Sequence, residues 1–111
     1  MSLGEIAKAL GLEVRAGAGL LERPVSGGQV GDLLSSIMAL GSANQVWVTI
    51  QIHPNIVAVG VVLNLAAIII AGGQEPEAAT LARAEDERLP ILTTPMRAYE
   101  VVGKLYELGV R

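Results

Sequence analysis

"VWVTIQIHPNIVAVGVVLNLAAIIIA", residues 46–71, decides the fold. Val46–Ile50 and Leu65–Ala71 are short runs of β-branched and aliphatic residues, of strand length and bounded by turn residues. Between them Pro54–Leu63 has the length of a helix, with proline in the first turn, where a missing N–H is harmless. Strand, helix, strand in that order is a βαβ unit. Strands with no polar alternation belong to a parallel sheet buried on both faces by helices.

The pattern continues in both directions. Downstream, Pro76–Arg88 reads as a helix, Pro90–Leu92 as a short strand, and Pro95–Leu108 as a closing helix that Thr94 can cap. Upstream, Ser2-Leu-Gly-Glu5 has the spacing of a capping box opening a helix, Leu3–Leu10, that ends at Gly11. Leu12–Ala16 and Leu20–Val25 read as strands around the glycine-rich turn Gly17–Gly19. A helix over about Gln29–Leu40 comes next, with a buried stripe of Val30, Leu33, Leu34, Ile37 and Met38. "EIAKALGLE" resembles the first helix of a helix-turn-helix DNA reader. The residues after it read as strand, turn and strand rather than a basic recognition helix, so that resemblance fails. The expectation is a single α/β domain over residues 1–111 with a mostly parallel sheet.

Composition removes several function classes. The 111-residue chain has no cysteine, which excludes disulfides, thiolate metal sites and cysteine nucleophiles and fits a reducing cytoplasm. A net charge of −3 gives no electrostatic footprint for nucleic acid. The N-terminus does not look like a signal peptide, because Glu5 interrupts its apolar character. No charged residue occurs between Asp32 and Glu75, yet the longest apolar run there, Ile56–Leu63, is far short of the ~20 residues of a membrane span. That run has no charged face, so part of it needs cover. Ile56, Val57, Val59, Val61 and Val62 are accordingly expected at a homodimer interface.

Ligands of open parallel sheets bind at the carboxyl ends of the strands. Those ends present Gly27 and Gly28, then Gln51, His53 and Asn55, then Gly72 and Gly73, then Thr93 and Thr94, each group just before a helix N-terminus suited to an anion. These nine residues are the candidate ligand contacts. "SGGQVGD" matches neither GxGxxG nor GxxxxGK, and Asp32 reads as a favourable first-turn charge. His53, the only histidine, has no partners at a spacing that implies a triad. It is either a ligand contact or a hydrogen-bonded plug at a strand end. Glu85-Asp86-Glu87 diverge on a helical surface. No catalytic residue, metal site or cofactor is expected.

Taken together, "GGQVGDLLSSIMA", "VWVTIQIHPNIVAVG", "LAAIIIAGGQEPEAATLARAEDERLPILTT" and "AYEVVGKLYELG" resemble the DRTGG domain, most strongly over residues 25–109. The resemblance implies a three-layer α/β/α domain with a fold similar to the N-terminal domain of HPr kinase/phosphorylase. DRTGG domains stand beside CBS domains in certain pyrophosphatases, before the catalytic part of phosphotransacetylases, and alone in anaerobic bacteria. The implied role is regulatory or dimer-forming, with a small anionic ligand or a protein partner, and not catalytic. Kinase chemistry would need a P-loop that this chain lacks. Ala71-Gly72-Gly73 keeps the family's Gly-Gly element. Ile52-His53-Pro54 falls where the Asp-Arg-Thr set belongs, so the acid and the arginine are both missing. An adenine nucleotide is admitted by the resemblance, and the lost arginine argues against it.

Overall fold

A computed structural model describes residues 1–111. The elements run α1 Leu3–Leu10, β1 Glu13–Ala16, β2 Gly27–Val30, α2 Leu34–Leu40, β3 Gln45–Thr49, α3 Asn55–Val62, β4 Ala67–Ile70, α4 Ala78–Asp86, β5 Ile91–Thr93 and α5 Ala98–Glu107. The five strands form one sheet in the order β1-β5-β4-β3-β2, in which only β1 is antiparallel to its neighbour.

Sequence alternation explains the layers. On β3, Val46 and Val48 face one core and Trp47 the other; on β4, Ala67 and Ile69 oppose Ile68 and Ile70. The first core is closed by Leu3 and Ile6 of α1 with Val101 and Leu105 of α5. The second is closed by Ile37 of α2, Ile56 and Val57 of α3, and Ala84 of α4. Strands β2 to β5 advance one place at a time in one direction, and connections of one hand then put their three helices on one face. The other face is left to α1 and α5. The result is the three-layer α/β/α domain.

Four helices end in the same way. Gly11, Asn64, Arg88 and Gly109 each adopt left-handed backbone, with φ of 66°, 55°, 56° and 89°. The next residue's N–H reaches back to close the helix: Leu12 to Ala7, Leu65 to Gly60, Leu89 to Ala84 and Val110 to Leu105, each at 2.9 Å. Leu12, Leu65, Leu89 and Val110 are all buried. This is the Schellman closure with its apolar contact, which satisfies carbonyls that the helix ends leave free.

Three sequence expectations are corrected. Gln29 and Val30 belong to β2, paired with Trp47 and Val48, so the helix begins only at Leu34. Of its expected stripe, Ile37 alone is fully buried, and Val30, Leu33 and Met38 are exposed. A seven-residue helix at the sheet edge lands only one turn on the core. Leu20–Val25 is not a strand. Ala18–Leu20 is a 3₁₀ turn, and the carbonyls of Leu21 and Arg23 accept the N–H groups of Gly4 and Leu3. The segment serves the free donors of the α1 N-terminus instead of a ladder. Thr94 does not cap α5; its Oγ1 accepts the Met96 N–H in a turn, and the helix starts three residues beyond Pro95, at Ala98.

Candidate functional site

The carboxyl ends of β3, β4 and β5 lie on one rim, and antiparallel β1 brings its amino end to the same rim, with Glu13 opposite Thr93. A register shift comes immediately after. Val14 pairs with Leu92 and Ala16 with Ile91, so Arg15 is an extra residue with no partner on β5. Such a bulge re-aims the side chain it carries. Arg15 is directed across the rim to the loop after β4, where Nη1 donates to Glu75 Oε1 at 2.8 Å and Nη2 to Oε2. The Arg15 side chain is 22% exposed, its stem packed on the rim, while that of Glu75 is 68% exposed. The Glu75 hydrogen bond, with the charges of Glu75 and Glu13, raises the Arg15 pKa. The bond from Arg15 in turn holds the Glu75 carboxyl below its usual range.

The loop that delivers Glu75 depends on glycine. Gly72 and Gly73 are both left-handed, at φ 75° and 70°, a path that side chains with a Cβ resist. Their N–H groups donate to Met96 O at 2.7 Å and Thr94 O at 3.0 Å, fixing the start of the loop to the β5–α5 connection. Gln74 and Glu75 then turn over β1. Gly11, Glu13, Arg15, the loop Gly73–Glu75 and the segment Thr93–Pro95 enclose a cleft of ≈ 310 Å³ without one hydrophobic residue. Thr93 is 8% exposed and lines this cleft, and its hydroxyl, which makes no hydrogen bond to the chain, opens to the cleft rather than being buried without a partner. A forked cation, a hydroxyl with spare capacity and glycine backbone make a place for an oxyanion.

The expected rim residues divide. Gly73, Thr93 and Thr94 meet in the Arg15 cleft, with Gly72 forming the bend behind them. Gln51 lies at the end of β3 but is engaged internally, its Nε2 donating to Asp32 O at 2.9 Å. Asp32 is no first-turn charge. Its Oδ1 accepts the Thr49 hydroxyl at 2.9 Å and the Ile50 N–H at 3.0 Å, tying the end of β2 to the end of β3. His53 is exposed, and its Nδ1 accepts the Asn55 N–H at 3.2 Å, which satisfies a free donor in the first turn of α3. Gly27 and Gly28 are not on this rim. They open β2 opposite Gln45 and Val46, at the start of β3, on the far side of the sheet. The helix placed there by sequence periodicity would have put them at a strand's carboxyl end; the strand begins with them instead.

The residues expected at a dimer interface also divide. Ile56, Val57 and Val59 are buried within their own chain, between the sheet and the neighbouring helices, so they are not free to face a partner. Val61 and Val62 are exposed. Arg15 and Glu75 were not among the expected contacts. The signal for Arg15 was the one cation of a short strand, two residues after Glu13. Its destination depends on the direction of β1 and on the bulge, which no local pattern declares.

The CBS and DRTGG domains of the regulatory region of Clostridium perfringens pyrophosphatase, solved with the activator diadenosine tetraphosphate, are similar in structure to this chain. The TM-score is 0.73 at 19% sequence identity, over 93% of this chain and 46% of that one. This chain thus spans less than half the length of that region. The likeness is one of fold, and it agrees with the three-layer architecture that the DRTGG resemblance implies. No family model matches the chain, and no curated protein matches it.

Proposed function

We propose that this chain is a non-catalytic regulatory domain that senses a small anionic ligand in the cleft between β1, the β4–α4 loop and the β5–α5 connection. One observation carries the reading: the bulge at Arg15 sets a guanidinium beside the unbonded Thr93 hydroxyl and the Gly72-Gly73 bend. This cation stands on the rim from which the sequence resemblance removed one, so phosphate-bearing ligands return to consideration. The structural neighbour was solved with a dinucleoside polyphosphate activator, which adds adenine nucleotides to the compounds worth testing. Binding of this kind raises the melting temperature by mass action. A ligand at a hundredfold its Kd adds about 2.7 kcal/mol. A thermal-shift screen of adenine nucleotides, acetyl phosphate and simple anions should give a shift in the parent chain that Arg15→Gln loses. A shift of equal size in both proteins would sink the site.

A second reading has its own observation. Leu33, Met38 and Leu40 near and on α2, with Val61 and Val62 on α3, are exposed. The chain turns after these two helices lie side by side, since Asn44 N–H donates to Asn64 O at 2.9 Å. An apolar, charge-free band of this kind suits homodimer formation. A concentration-dependent melting temperature with no response to any anion would favour assembly as the function.

A further inference from the structure

Glu75 already occupies the seat that an anionic ligand needs. Its two oxygens meet the two terminal nitrogens of Arg15 face to face, as a bidentate carboxylate does. The two partners are unequal. Arg15 is mostly covered and fixed by the bulge, whereas Glu75 is largely exposed on a loop that leaves the left-handed Gly72-Gly73 bend. The carboxylate can leave; the guanidinium stays. We propose that Glu75 is a built-in stand-in for the ligand's oxyanion, so that a ligand binds by exchanging with it at Arg15. This rests on the reading of the Arg15 cleft as an anion site.

The charges around the cleft narrow the ligand class. Arg15 is its one cation, and Glu13 and Glu75 are its anions. With Glu75 displaced, Glu13 still offsets Arg15, so a dense polyanionic group is poorly matched. A singly charged group that presents two oxygens to the fork, a carboxylate or a phosphodiester, fits best. Thr93 adds a hydrogen bond from a hydroxyl that has no partner in the free chain. Exchange costs little, because an exposed ion pair is weakly held.

The test compares acetate, dimethyl phosphate and inorganic phosphate by titration calorimetry and amide chemical shifts, using the parent chain, Glu75→Gln and Glu77→Gln. Glu77 is an exposed carboxylate two residues away that lines no part of the cleft, and it controls for the change in net charge. Glu75→Gln should bind acetate or dimethyl phosphate about fivefold tighter than the parent, the scale of one exposed ion pair. Glu77→Gln should leave affinity unchanged, and Arg15→Gln added to Glu75→Gln should abolish it. Whichever of acetate and dimethyl phosphate gains more identifies the source of the oxyanion. Equal affinity in the parent and Glu75→Gln, with both lost on Arg15→Gln, overturns the exchange and keeps the cleft. An equal gain in Glu77→Gln also overturns the exchange. No Arg15-dependent binding in any protein overturns both.

Discussion

Two threonines at strand ends on the same rim, with β4 between them, separate structure from function at the scale of single residues. Thr49 is buried and its hydroxyl is committed to Asp32. Thr49→Val should therefore leave the Asp32 carboxylate short of a donor and lower unfolding stability by about 1–3 kcal/mol, read by urea denaturation. Thr93 is equally well placed but has no internal partner, so Thr93→Val should melt within a degree or two of the parent while weakening anion binding. His53→Ala removes the acceptor of the Asn55 N–H and should cost about 0.5–2 kcal/mol, the range of a lost cap. His53→Asn should restore most of that loss, and neither change should alter binding in the Arg15 cleft. His53 Nδ1 serves the start of α3, the structural role among the two that the sequence left open. At Glu75 the folded-state pKa is lowered. Its pair with Arg15 therefore contributes fully above the usual glutamate value of 4.5 and is lost as pH falls through the lowered value. Melting curves taken from pH 6 down to about pH 3 should show a component of the decline in the parent that Glu75→Gln lacks. The Glu5 carboxyl, lowered by its bonds to Ser2, has the same sign and persists in both proteins.

At the scale of elements, helix endings show how much of the structure was legible. Gly11 and Gly109 mark their stops in the sequence because glycine reaches φ > 0 freely, and Asn64 does so more weakly. Arg88 gives no such mark, yet it takes the same left-handed place at the end of α4. The buried Leu89 beside it holds it there. Arg88→Asn should raise stability by about 0.5–1 kcal/mol by relieving that conformation. Helix α3 shows the converse. Its β-branched, charge-free sequence suggested a partner, but most of its apolar surface is used inside the chain between α2 and α4. Gly60 is the contact that allows it, since a Cβ there would lie 2.6 Å from Leu89 Cδ2. Gly60→Ala should destabilise by about 1–3 kcal/mol through overpacking, read by denaturation. The stripe expected from Val30 to Met38 failed because periodicity records which residues share a face, not whether that face meets a core. An edge strand took its first member.

For the whole molecule, the alternation of strand and helix was enough to anticipate the layers, because apolar strands flanked by amphipathic helices have few ways to bury both faces. The candidate site was half legible. Glycine and threonine at strand ends announce the rim on the parallel strands. The cation arrives from an antiparallel edge strand through a one-residue bulge, and that placement is a property of the assembled sheet. The exposed residues Leu33, Met38, Leu40, Val61 and Val62 raise the separate question of self-association. Under the assembly reading, sedimentation should show a dimer for the parent and a monomer for a Leu40→Lys, Val62→Lys variant, with anion binding retained, because these positions line no part of the Arg15 cleft; a monomeric parent would end that reading. The central claim, an anion held at Arg15, is tested most directly by amide chemical-shift mapping during titration with acetate and dimethyl phosphate. Saturable shifts centred on Gly73, Gln74, Thr93 and Thr94 that vanish in Arg15→Gln are predicted; shifts confined to Gln51–Asn55, or unchanged in Arg15→Gln, would contradict it.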